Sequence, residues 1–310
     1  MMPTPNTSSQ PEGFQHPVYD MRAVLRGASL YKIFLFPILV IRHLRTLLPL
    51  LLAPRGGNLR RLIRARPELI GIVLSRFLAA NWDTRTRVAR VVDHYRTVAD
   101  IGGIVDFAPD AIVELVRLSA IDPRYIVTLD QARWLLREGP MIMSLWDGVD
   151  RIFHLGFCLS TVDGKRIAYV GSLQGRKETD IYNYTIDILN RYRHFTKAAS
   201  GMRPRDFLVE TFKMFCKAVG VSEIRAVSDD NHPPRAASDL KLSYDEIWIE
   251  RGGHRRDDGF FILPVTPARR DDADIPAKKR SAYARRYLML DAIEAELSAA
   301  LRSSAGKPRD

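Results

Sequence analysis

The chain has 310 residues, of which 46% are hydrophobic, 27% charged and 9% aromatic; this is a folded globular composition that can bury one large domain or two smaller ones. Its net charge of +11 is local: ten lysines and arginines and no acid lie between Met21 and Pro67, and removing those ten from +11 leaves about +1. Two cysteines, Cys158 and Cys216, sit in apolar runs without metal-ligand spacing, which argues against a disulfide scaffold or zinc module and fits buried thiols in a reducing compartment.

Residues 1–20 are polar and proline-rich, without an evident secretory signal, and read as a disordered leader of a cytoplasmic protein. Next come two apolar stretches, Ile33–Ile41 and Leu47–Ala53, separated by Arg42, His43 and Arg45. Two arginines near the middle of a span would each cost about 2.5–3.5 kcal/mol in a bilayer, so a transmembrane helix is rejected. Two readings remain: a helix–turn–helix packed into the core, or a basic amphipathic segment lying in a membrane interface. The apolar faces favour the core. The surrounding cations favour an anionic membrane, contacted through residues 21–67. Nucleic acid is disfavoured, because the block lacks aromatic interleaving and any recognisable binding motif.

From Asn58 to Gly139 the periodicity predicts helices: one opened by Leu59, Leu62 and Ile63, a long one over Thr86–Val98 capped by Asn81, Asp83 and Thr84, and short ones over Ala111–Leu118 and Leu129–Leu136. The texture changes near Gly139. Short apolar runs at Met141–Leu145 and Ile152–Leu159, an Asp163-Gly164 turn and Ile167–Leu173 read as strands. Helices are expected over Asp180–Thr196 and Phe207–Val219, strands at Glu223–Val227, Tyr244–Ile249 and Phe260–Leu263, and a closing helix over Ala282–Leu301. The expected fold class is α+β: a basic helical region over 21–138, a mixed α/β domain over 139–302, and a disordered tail over 303–310.

Several spaced elements carry a family resemblance. They are Arg66-Pro67-Glu68-Leu69, His94-Tyr95, Leu173-Gln174-Gly175, Gly201-Met202-Arg203-Pro204, Tyr244-Asp245-Glu246-Ile247-Trp248 with Glu250, Leu263-Pro264, and Lys279-Arg280-Ser281-Ala282-Tyr283 with Arg285-Arg286-Tyr287. In this order, over most of residues 60–295, they resemble the VirK/YbjX family of bacteria. The resemblance implies an association with the envelope, with virulence in enteric pathogens and with resistance to antimicrobial peptides. It brings no catalytic residues with it.

A second resemblance is to chemistry. The stretch IAYVGSLQGR (Ile167–Arg176) ends a strand on glycines, an amide and a cation, and GMRPRDF then opens a helix before the strand EIRAV. This series is similar to acyltransferases of the GNAT type, except that residues 177–200 intervene with a helix of their own. The resemblance implies a helix N-terminus facing an anionic donor, acyl-coenzyme A or acyl carrier protein, held by Gln174, Gly175, Arg176, Arg203 and Arg205. The blander alternative makes the glycines turn residues and the arginines solvated surface. His232, near Asp229 and Asp230, with Glu250 further along the chain, is the candidate for acid–base work. No nucleophile elbow, P-loop, HExxH or metal cluster is present. The non-catalytic alternative is a peripheral membrane stress factor that binds anionic lipid.

Overall fold

The computed structural model describes residues 30–52, 58–74, 76–131, 137–176, 187–233, 243–267 and 269–304. The expected leader therefore lies outside the described residues, as do 305–310 at the other end. Among the described residues, eight helices pack around one mixed sheet of eight strands, so the fold class is α+β.

The helices are α1 (Leu30–Arg42), α2 (Leu44–Leu51), α3 (Asn58–Ala65), α4 (Thr84–Ile101), α5 (Ile188–Ala198), α6 (Pro204–Ala218), α7 (Tyr244–Glu250) and α8 (Ala277–Ser304). The strands are β1 (Val113–Arg117), β2 (Tyr125–Asp130), β3 (Met141–Asp147), β4 (Asp150–Val162), β5 (Lys165–Gly175), β6 (Val221–Val227), β7 (His254–Arg255) and β8 (Phe260–Leu263). Their order in the sheet is β1-β2-β3-β4-β5-β6-β8-β7. β1 to β5 form an antiparallel meander, and β5 and β6 run parallel, joined through α5 and α6.

Three expectations are corrected here. The stretch 111–118 expected to be helical is the edge strand β1, and Leu129 and Asp130 end β2; residues 132–136 of the second expected helix lie outside the described residues. Both strands are short and bury one face, and in so short a window apolar residues fit either period. The strand expected at Tyr244–Ile249 is helix α7, because Ser243 caps it: its hydroxyl accepts the Glu246 N–H at 3.2 Å.

Alternation sorts the two layers. Phe157 of β4 packs on Phe212 and Phe215 of α6, while its neighbour Cys158 turns the other way, its thiol 3.5 Å from the Arg90 carbonyl of α4. α4 is stitched to β4 by polar contacts as well: buried His94 accepts the Leu159 N–H on Nδ1 at 3.0 Å, and Ser160 donates to Asp93 at 3.1 Å. α2 and α3 pack on α4 in turn.

α1 and α2 meet at His43 with a 92° bend. Phe36, Leu47 and Leu50 enter the core. The core reading of the two apolar runs holds for those side chains and for Leu39, Val40 and Leu51, which are half-buried against the core. Leu30, Tyr31, Phe34, Ile38, Ile41 and Leu52 are all exposed by 60% or more. Among the described residues no single helix is long and apolar enough to cross a membrane.

The feature that shapes the centre of the sheet is a crossing. The backbone of Glu138 and Gly139 passes directly over β4 and β5, so close that a Cβ on Gly171 would lie 2.0 Å from the Glu138 carbonyl oxygen. A Cβ on Gly139 would lie 2.4 Å from the Phe157 nitrogen. Gly171 is also the extra residue of a β-bulge, since Gly156 pairs with Ser172 and Phe157 with Val170. Gly171→Ala should therefore destabilise the protein by roughly 3 kcal/mol, because β5 cannot move without breaking its ladder and the Glu138–Gly139 backbone already lies against β4. Gly164→Ala, at φ +74° with open space around it, should cost only about 1 kcal/mol. Urea unfolding of the two variants compares them directly, and equal losses would rule out the crossing as the cause.

Candidate functional site

β5 outruns its parallel neighbour. The ladder to β6 ends at Val170↔Ala226, leaving residues 171–175 without a β6 partner, while the chain after β6 turns away at Ser228. The carboxyl ends of parallel strands that diverge in this way are where α/β sheets place ligands. Here the notch is entered by two side chains. Tyr244 accepts the Leu173 N–H on its hydroxyl at 3.3 Å, and the ring of His232 lies 5.2 Å from that of Tyr244.

His232 is buried. Desolvation pulls its pKa below the ordinary 6.5, opposed by the carbonyls of Pro233 and Gly171 and by the charge of Asp229, so the imidazole is neutral at pH 7. Asp229 is fixed by α7: it accepts the Tyr244 N–H at 2.7 Å and the Ser243 hydroxyl at 2.6 Å, and its own N–H donates to Asp245 at 2.8 Å. This reciprocal cap orients Tyr244 relative to His232. A neutral base, a carboxylate and a phenol thus share the mouth of the notch, an arrangement suited to moving a proton.

The expected anion-binding residues go elsewhere. Gln174 donates its amide to Glu138 at 2.5 Å, on the α4 side of the sheet. Gly175 leaves room for the Tyr192 hydroxyl, which donates to the Ile152 carbonyl at 2.9 Å; a Cβ there would come within 2.3 Å of that oxygen. Arg176 pairs with Asp150 at 2.8 Å, and Arg191 of α5 reaches both Asp150 and Asp147 at 2.7 and 3.0 Å, so these cations pin the β3–β4 turn. Arg205 is held by Asp206 at 3.0 Å and by Glu250 at 2.7 Å. Arg203 stays exposed at the N-cap of α6. The first turn of α6 already carries Asp206, whose charge offsets the positive end of the helix.

His232 and Glu250 are not brought together. They stand at opposite ends of α7, about 9 Å apart along its axis by helical rise. Glu250 belongs instead to a charged cluster with Arg205, Asp206, Arg251, Glu210 and the fully buried Lys213, whose ammonium also donates to the Arg251 carbonyl that ends α7. Burial raises the Glu210 pKa and lowers that of Lys213, each partly offset by the other.

Two features were missed in the sequence. One is an open polar cavity of about 620 Å³ on the α4 side of the same loop, lined by Arg76, Asn81, Asp230, Asn231, Arg255 and Arg256, among others. Asn231 anchors it, accepting the Ala80 and Asn81 N–H groups at 2.7 and 3.1 Å. Its lining comes from three distant stretches, which no local motif announces. The other is a buried polar row across the sheet: Asp130, Ser144 and His154, the last directly opposite Gln174. Period-2 spacing at polar residues within apolar strands was its only sequence signal. Among the described residues no group of three or more His, Cys, Asp or Glu could hold a metal ion.

Fold and site together describe an α+β protein with a half-open parallel pair. The family model described as a protein of unknown function (DUF535) matches residues 33–299, and the chain belongs to that family. It is 26% identical over 257 residues to the uncharacterized protein YbjX of Escherichia coli K12, covering 79% of this chain and 76% of that one. Two uncharacterized proteins of Haemophilus influenzae match shorter stretches. One is 39% identical over 101 residues, 31% of this chain and 33% of its own; the other is 29% identical over 175 residues, 54% and 55%.

The buried histidines set a pH dependence. His94 and His154 are each pushed down to about 3, mainly by burial. Below pH 6.5 the unfolded chain takes up protons that the fold refuses, so this stability is complete above about 6.5 and drains away toward pH 3. From pH 8 to pH 5 each should remove about 2 kcal/mol. Denaturant titrations across that range should show the decline, and a flat profile would contradict it.

Proposed function

We propose that the protein works at the surface of an anionic membrane, held there by the corner of α1 and α2. The observation that carries this reading is the exposed apolar face of the corner: Phe34 is 73% exposed and Ile41 74%, with Leu30, Tyr31 and Ile38 beside them. Arg42, Arg45, Arg61 and Arg64 are exposed around it. Each such cation contributes about 1 kcal/mol near an anionic leaflet, and burying an apolar side chain adds about 1.5–3 kcal/mol. Apolar insertion ringed by cations is the pattern of an interfacial segment that lies on a bilayer without spanning it. It is in keeping with the envelope association that the family resemblance implies, and on this reading the membrane concerned is the inner one, met from the cytoplasm.

Vesicle co-sedimentation tests it. Binding should require anionic lipid and weaken at high salt. Phe34→Ser with Ile38→Ser should lower affinity about tenfold or more at unchanged melting temperature, since both side chains are exposed. Unchanged binding in that variant would sink the proposal.

A second reading, acyl transfer to a lipid or peptide, is favoured by the neutral His232 beside Tyr244 at the open end of the β5–β6 pair. Release of free thiol from acyl-coenzyme A, or of acyl groups from acyl carrier protein, would report it. His232→Gln should slow that release by about a hundredfold. No turnover by the intact protein would leave only the lipid-binding role.

A further inference from the structure

The stretch between Arg269 and Tyr287 carries seven lysines and arginines against three aspartates, Asp271, Asp272 and Asp274, all of which precede α8. Lys278, Lys279 and Arg280 occupy the first turn of α8, which itself holds no acidic residue, at the end of the helix where cations are unfavourable. The first carboxylate of α8 is Asp291, and Arg269 pairs with it. Among the described residues, Arg270, Lys278, Lys279, Arg285 and Arg286 make no ion pair.

Tyrosines hold two of these arginines in place. Arg286 stacks over the Tyr283 ring at 4.6 Å and donates Nε and Nη2 to the Ser200 carbonyl at 3.3 and 3.0 Å. Arg270 lies 5.9 Å from the same ring, and its N–H donates to the Tyr287 hydroxyl at 3.0 Å. Arg286 thereby brings α8 to the Ser200-Gly201 turn, two residues before the exposed Arg203. Two sequence stretches singled out above, GMRPR and KRSAYARRY, meet at this contact. On the open face of α8, Ser281, Arg285 and Leu288 follow at helical spacing, and Leu288 is 70% exposed.

We propose that this face of α8, with Arg203, is a docking surface for an acidic amphipathic helix of a partner protein. Unpaired cations call for carboxylates, and the exposed Leu288 among them calls for an apolar residue on the partner. Guanidinium groups pinned by tyrosine rings and a carbonyl are preorganised, so less freedom is lost on binding. Nucleic acid fits less well, because the tyrosine rings that would stack on bases are covered by arginines. A bilayer fits less well too: α8 packs on α6, β1 and the Gly103–Val105 turn, whereas α1 packs on the Pro67–Val73 turn and α2 on α4. The proposal does not depend on the membrane reading.

The test uses the full chain and a fluorescein-labelled synthetic helix with glutamates flanking a leucine stripe, beside a scrambled peptide of equal composition. The helix should bind at least about tenfold better than the scrambled peptide. Lys278→Glu with Lys279→Glu, and separately Leu288→Ser, should each weaken it about tenfold or more. The lysine variant should keep or raise its melting temperature, because acids suit the first turn of a helix. Phe34→Ser with Ile38→Ser should bind the helix normally. Equal binding of the scrambled peptide, or unaffected variants, would overturn the proposal. So would tighter binding of polyuridine RNA, or of phosphatidylglycerol vesicles, that the lysine variant abolishes.

Discussion

The crossing of Glu138 and Gly139 over the middle of the sheet is the constraint on which the central architecture rests. Two backbones can approach so closely only where side chains are missing, and Gly156 and Gly171 provide the gap. The bulge at Gly171 lies where β5 parts from β6, and β5 runs on alone past that point. The notch, the seat of His232 and the contact of Tyr244 with Leu173 all follow from that separation. The Gln174–Glu138 hydrogen bond ties the far end of β5 back to the same crossing segment.

The glycine-rich ending of IAYVGSLQGR therefore has a steric explanation. Its glycines admit a neighbouring backbone and a tyrosine hydroxyl, and its cation is neutralised by Asp150. Arginine serves three ends in this chain: pinning turns through buried carboxylates, as Arg176 and Arg191 do; closing a helix pair, as Arg205 does with Glu250; and remaining unpaired on the surface around α1, α2 and α8. A net charge summed over the sequence cannot separate these uses, because they depend on which carboxylates the fold brings near.

Much of the fold was legible. The long helix α4 and its Asp83 cap, the strands from β3 to β6, β8 and the closing helix follow from period and from turn residues such as Asp163-Gly164 and Gly220. β1 and β2 were not, because five or six residues with one buried face satisfy a helical pattern equally well. α7 was hidden because Tyr-Asp-Glu-Ile-Trp-Ile-Glu alternates like a strand, and only the cap formed by Ser243 with Asp229 decides for helix. Of the site, His232 was visible as a histidine among acids. Its neighbours Tyr244 and Gly171 were not, since their proximity depends on the pairing of β5 with β6. The exposed face of α1 was unreadable for a related reason: apolarity does not reveal whether anything covers it.

The strap that carries Ala80 and Asn81 has a consequence for how the molecule is made. It is clasped by Asn231, a partner 150 residues later in the chain. During synthesis the strap and the helices before it leave the ribosome well ahead of that partner, whereas the meander from β1 to β5 closes through contacts between neighbouring strands. The clasp is thus among the last contacts to form. Until it closes, the corner of α1 and α2 is attached to an unfinished core.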